Sequence, residues 1–252
     1  MDLKRYLEEL KGRASPPAHD PELPPCPLCG APAFRGGDFR APHRIEHDCD
    51  CIYREPEAYG KALFALWPRW WWPRAFREGL PPQYRAYLER SWEGPKAVLE
   101  ALEGWYEKGR VLYLHGPPGT GKTHLAARLG HRLAQEGKRT LFLGESAFYD
   151  RARREALEEG AVRLLDQVDA LVLDDLGKAR LTPFAAEVLF GLLEAAHGGR
   201  LRLVITANYP PEEAARRLGE NAEAALSRVD WEVRVTGPDR RKARRGEGAF
   251  PF

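Results

Sequence analysis

The chain has 252 residues, room for one large domain and one small one. Hydrophobic residues make up 43% and charged residues 30%, a globular composition. The net charge of +2 excludes a strong whole-molecule field toward nucleic acid, so any basic surface must be local. Apolar runs fall far short of the ~20 residues of a membrane span. The N-terminal MDLKRYLEELKGR is charged and amphipathic, without the apolar centre of a signal peptide, so a cytoplasmic protein with no membrane partner is expected.

In chain order, residues 1–57 hold a short predicted helix, a Pro-rich linker through Pro16, Pro17, Pro21, Pro24 and Pro25, and all four cysteines. Proline at that density breaks helix and sheet, so the linker is expected to be extended. Cys26-Pro27-Leu28-Cys29-Gly30 is a knuckle that brings two thiolates to one side of a tight turn, and Cys49 and Cys51 return after 19 intervening residues. Four thiolates satisfy a tetrahedral Zn²⁺ with no open position, which makes the site structural. The C-x-C pair is tighter than C-x-x-C, so His43 or His47 is a possible substitute ligand, and redox chemistry of Cys26 and Cys29 is a further alternative.

Residues 58–108 form an aromatic and basic helical connector, with a helical pattern from Gly94 to Trp105. Its run Trp67-Pro68-Arg69-Trp70-Trp71-Trp72-Pro73-Arg74 suits internal packing, partner docking or stacking on single-stranded bases.

From 109 to 241 continuous apolar strands alternate with helices, the pattern of an α/β domain whose parallel sheet is covered on both faces. Strands are predicted at 111–114, 140–143, 170–173, 203–206 and 233–235. Helices are predicted at 122–135, 146–168 and 182–196, with two short helical pieces before the last strand. Residues 242–252 form a basic tail.

Gly116-Pro117-Pro118-Gly119-Thr120-Gly121-Lys122-Thr123 fits G-x-x-x-x-G-K-[ST], between a predicted strand and a predicted helix. Its glycines let backbone N–H groups turn inward around a phosphate, at the positive end of the new helix. Lys122 supplies charge to the terminal phosphates and Thr123 a hydroxyl for Mg²⁺; His124, directly after, is counted with the nucleotide-binding residues. Leu171-Val172-Leu173-Asp174-Asp175 places two acids at a buried strand tip, Asp174 for Mg²⁺ and Asp175 for the attacking water. Asn208, after the next strand, either bonds the lytic water or γ-phosphate or simply starts the turn Asn208-Tyr209-Pro210. Phe148, Tyr149, Arg151, Arg153 and Arg154 follow the second core strand and suit either single-stranded DNA or a solvated helix face.

GPPGTGKTHLA, LVLDDLG, VITAN and ALSRVD together resemble the AAA+ ATPases of the DnaC/DnaI helicase-loader type, related to the IstB transposition helpers, over roughly residues 80 to 241. Ala207 departs from the pattern, standing where loaders often have a second Thr. The resemblance implies a five-stranded AAA+ sheet, ATP as the nucleotide, and a site completed by self-association. Asn208 takes the sensor position in it. Arg228, which by itself reads as a surface arginine, matches the residue that reaches the neighbouring subunit's site. Arg241 matches a late nucleotide-site arginine loosely, and Arg240 fits equally.

The function so implied is that of a slow, Mg-dependent ATPase that loads or remodels the replicative DNA helicase on single-stranded DNA, with the zinc module gripping the helicase. The alternatives are a transposition helper acting on duplex target DNA, and a nucleotide-sensing adaptor that does not hydrolyse ATP.

Overall fold

The computed structural model describes residues 23–34, 46–159, 162–178, 182–219 and 221–240. The predicted N-terminal helix, His43, Arg241 and the basic tail lie outside the described residues. The chain divides into two compact units, 1–71 and 72–252.

In the first unit, β1 (Ala33–Phe34) pairs antiparallel with β2 (Glu46–His47), and the short helix α1 (Cys51–Arg54) follows. Helix α2 (Pro56–Gly79) runs across the unit boundary and carries Pro68 and Pro73 in its interior, each removing a backbone donor. Among the described residues, two small apolar clusters hold this unit. Trp67 packs with Leu23, Ala33, Trp70 and Trp71, its ring stacked on Trp71 at 5.8 Å; Tyr59 and Leu63 pack with Cys26. Trp67, Trp70 and Trp71 are therefore packing residues.

The second unit contains α3 (Pro82–Arg85), α4 (Lys96–Lys108), β3 (Val111–His115), α5 (Lys122–Gln135), β4 (Thr140–Gly144) and α6 (Glu145–Glu159). It continues with β5 (Ala170–Leu176), α7 (Pro183–His197), β6 (Arg202–Ala207), α8 (Pro211–Leu218), α9 (Asn221–Leu226) and β7 (Trp231–Arg234). The five strands form a parallel sheet in the order β4-β5-β6-β3-β7, as the alternating pattern implies.

Successive strand residues face opposite sides. Tyr113, Leu171, Leu173, Leu203 and Ile205 pack under α6, α7, α8 and α9, whereas Leu112, Leu114, Val172 and Val204 pack under α4 and α5. Both faces are thus dry, and each fully buried Leu or Val contributes about 1.5–3 kcal/mol. At one end of the sheet Arg202 donates to the carbonyls of Trp105, Tyr106 and Gly109, closing α4.

Boundaries shift where local chemistry intervenes. α4 starts only after Pro95, which lacks the N–H to continue a preceding turn. The helix predicted to reach Val168 ends at Glu159; a single 3₁₀ turn, Leu164–Asp166, follows, with the Glu155 carboxylate accepting from the Leu164 amide at 2.7 Å.

Candidate nucleotide site and cysteine centre

β3 delivers the chain to the phosphate-binding loop at the carboxyl end of the sheet. Gly116 (φ +141°) passes so close to β7 that an added Cβ would lie 2.2 Å from the Val235 carbonyl oxygen. Gly119 (φ +81°) is crossed by Asp239, whose Oδ1 would be 1.8 Å from such a Cβ. Only glycine fits at either point. Thr120 bonds the Pro117 carbonyl at 2.9 Å, and the loop runs directly into α5.

Lys122 is 7% exposed, and its Nζ donates to the carbonyls of Gly116 at 2.7 Å and Pro117 at 2.9 Å. The ammonium is therefore held within the loop. The Thr123 hydroxyl donates to Asp174 Oδ1 at 2.9 Å, and Thr206 donates to the same oxygen at 2.7 Å. Asp174 is buried, which raises its pKa above the usual carboxylate range, against the opposing pull of the Thr206 and Thr123 hydroxyls. A hydroxyl and a buried carboxylate meeting at the head of a phosphate cradle are the oxygen donors that Mg²⁺ takes, so these residues fit Mg-nucleotide.

Asp175 has φ +69°, the only positive φ at a non-glycine among the described residues. Asp tolerates this conformation better than most residues, at a cost of roughly 1–2 kcal/mol. β5 slips register against β6 between Leu173 and Leu176, so both acids fall in the irregular stretch of that pairing, while Asp174 stays in register with Gly144 of β4. The Asp175 amide donates to Thr206 Oγ1 at 2.9 Å, and its carboxylate pairs with Lys178.

Asn208 follows the last residue of β6, Ala207, which lies in register with His115 at the start of the loop. Ala207 also lies in register with Leu176 of β5, so Asn208 comes one residue after the level of both strand ends. Arg228 is placed otherwise: its guanidinium pairs with Glu194 of α7, donates to the Ala224 carbonyl, and lies 4.5 Å from the Phe190 ring centroid. His124 points into the segment before α4, with Nε2 3.3 Å from the Arg90 carbonyl and its ring beside Tyr87 and Trp92. Burial lowers its pKa below the usual imidazole value.

Two residues here, Trp92 and Thr206, were not singled out from the sequence as nucleotide-site residues, whereas Arg240 was the alternative to Arg241. Trp92 packs against Gly121, the Arg240 guanidinium lies 4.4 Å over the Trp92 ring, and Thr206 ties the two acids together. The Arg240 amide also donates to the Gly119 carbonyl at 3.1 Å. Of the two late arginines, Arg240 is thereby at the loop. A cleft of about 620 Å³ opens along Trp92, lined also by Leu88, Leu102, Leu125, Arg128 and Leu129. No short motif announces Trp92 or Thr206 as site residues, because strands and segments far apart in sequence assemble them.

The cysteine centre lies in the first unit. The Cys26 amide donates to the Ala31 carbonyl and the Gly30 amide to the Cys26 carbonyl, closing the knuckle, and Cys49 and Cys51 follow β2. The sulfurs of Cys26, Cys29, Cys49 and Cys51 all lie within 4.8 Å of one another. A tetrahedral zinc site with Zn–S of about 2.3 Å puts its sulfurs about 3.8 Å apart, so the four fit that ion. His47 is committed elsewhere, with Nδ1 2.6 Å from the Tyr59 hydroxyl and Nε2 3.0 Å from the Pro24 carbonyl. Burial opposes ionisation of Cys26, but the amides of Cys29 and Leu28 and the neighbouring thiols outweigh it and bring its pKa to about 7. Hydrogen bonding to Cys29, with burial, drives Cys51 the other way, to about 12. Such a cluster ionises fully only when a cation shares it.

Among known proteins, the family model described as IstB-like ATP binding protein matches residues 95–241. An insertion-sequence ATP-binding protein of Sinorhizobium fredii is 40% identical over 116 residues, covering 45% of this chain and 39% of the relative. The IS21 ATP-binding protein of Pseudomonas aeruginosa is 29% identical over 141 residues, covering 53% of each chain. This chain therefore spans about half the length, or less, of these relatives. Among solved structures, the DnaC helicase loader aligns with a TM-score of 0.52 at 23% identity, covering 62% of this chain and 100% of that one. DnaI aligns at 0.51 and 23%, covering 64% and 94%. At that identity the likeness establishes the fold alone, a parallel α/β fold of the AAA+ P-loop type. Because the family match extends over more than half of its residues, the chain belongs to the IstB-like ATP-binding proteins.

Proposed function

We propose that this protein is a Mg-dependent ATPase that helps place the replicative DNA helicase on single-stranded DNA. The observation that carries the enzymatic part is the meeting of Thr123 and Asp174 at 2.9 Å at the head of the phosphate loop. In this reading the amides from Gly119 to Thr123 bind the triphosphate, together with Gly116, Pro117, Pro118 and the Lys122 ammonium. Lys122 leaves its two carbonyl partners to do so. Thr123 and Asp174 would hold Mg²⁺, which when bound neutralises phosphate charge. Asp175 orients and deprotonates the attacking water, and Asn208 supplies a hydrogen bond to that water or to the γ-phosphate. Arg228 acts on the site of a second copy after exchanging its partner Glu194 for phosphate.

The cysteine-bearing unit suits the partner role. Its four sulfurs would hold a structural zinc, and it exposes Tyr53 (84%) and Phe64 (66%), aromatic surface of the kind that anchors protein interfaces. Co-purification of the full chain with a replicative helicase, with and without ATP, tests the proposal. Association that depends on ATP and disappears in Cys26→Ser supports it, and absence of association under both conditions overturns it.

The names of the sequence relatives favour a second reading, a transposition helper acting on duplex target DNA. ATP turnover stimulated by duplex and not by single-stranded DNA, with capture of a transposase instead of the helicase, would establish that reading in place of the first.

A further inference from the structure

The carboxylate assigned above to the attacking water is already engaged. Asp175 pairs with the Lys178 ammonium, while its backbone is pinned by the positive φ and by the hydrogen bond to Thr206. The side chain alone is left to choose between partners.

Lys178 is itself held from behind. The carboxylate of Glu145, 7% exposed, accepts from the amides of Gly177 at 3.3 Å and Lys178 at 3.0 Å. Glu145 is the first residue of α6, and it directly follows Gly144, which lies in register with Asp174. The same helix carries the exposed Arg153 and Arg154, and Arg151, which is paired with Glu155 at 2.9 Å. One buried carboxylate thus joins the start of an arginine-bearing helix to the segment that neutralises Asp175.

We propose that Lys178 is a positioning residue that holds Asp175 away from its water-activating orientation, and that nucleic-acid phosphates bound along α6 release it through Glu145. This rests on the ATPase reading above. The side chains of Lys178 and Asp175 are 64% and 38% exposed, so the pair is solvent-screened and easily exchanged, as a reversible restraint must be.

The test is steady-state ATP hydrolysis by the full chain, with and without a single-stranded oligonucleotide, for wild type, Lys178→Met, Lys178→Arg and Asp175→Asn. Lys178→Met is expected to raise kcat without DNA by about two- to fivefold, the worth of an exposed ion pair, with KM unchanged. It should also lose most of the DNA stimulation, and Lys178→Arg should restore wild-type behaviour. A Lys178→Met rate equal to or below wild type, or an undiminished stimulation, overturns the proposal. Equal rates for wild type and Asp175→Asn under both conditions would instead remove the ATPase reading on which it stands.

Discussion

Thr206 and Asp174 sit on neighbouring strands, and the Thr206 hydroxyl donates to Asp174 Oδ1 at 2.7 Å while accepting the Asp175 amide at 2.9 Å. One side chain therefore orients both acids of the nucleotide site. Thr206→Val keeps the shape but leaves a buried carboxylate short of a donor and an amide without its acceptor. The expected cost is about 1–3 kcal/mol in a denaturant melt, with weaker Mg-dependent nucleotide binding. Thr206→Ser should keep both properties.

Lys122→Ala removes the one cation inside the phosphate loop among the described residues while leaving its backbone cradle. ATP affinity should fall about 100-fold, the worth of one or two charge-assisted hydrogen bonds. Metal analysis of the same preparation should show zinc content unchanged. Calorimetric titration beside elemental analysis measures both.

Metal removal should act on the other unit. Chelation, or Cys26→Ser, takes away the ion that would share four thiolates, and among the described residues only the small clusters around Trp67 and Tyr59 remain to hold that fold. Near-ultraviolet dichroism, dominated by the tryptophans, should change on chelation. ATP titration should give the same affinity before and after.

Acid should weaken the chain through Asp169. Burial by itself would raise this carboxyl, but three hydrogen bonds from Arg139, at 2.7, 3.2 and 3.1 Å, outweigh that and hold it below the usual range. A carboxyl depressed in the folded state contributes stability that is present above its unfolded pKa and is lost as pH falls through the folded one. Asp169→Asn should therefore cost about 1 kcal/mol at neutral pH, a modest figure because the pair is partly exposed. The difference from wild type should shrink below about pH 4. Urea melts at pH 7 and pH 3 check it.

Much of the site was legible beforehand because its chemistry is local in sequence. A phosphate loop needs its glycines, lysine and hydroxyl residue within eight positions, and the two acids end one apolar strand. The knuckle cysteines are likewise neighbours. Helix ends were less legible: α6 stops nine residues earlier than expected, because periodicity continues through text that the Glu155 carboxylate instead folds into a short turn.

By itself the sequence determined the parallel sheet, the phosphate loop, the acids and two close pairs of cysteines, since each depends on backbone geometry or ligand types spaced within a few residues. Only the tertiary structure decided what surrounds them. It placed Thr206 between the acids, Trp92 and Arg240 over the loop, Lys178 against Asp175, Glu194 against Arg228, and both ring nitrogens of His47 on Tyr59 and Pro24. The strand order β4-β5-β6-β3-β7 is what brings Thr206 to the two acids. Neighbours in a parallel sheet are distant in the chain, so no local pattern carries the contacts between them.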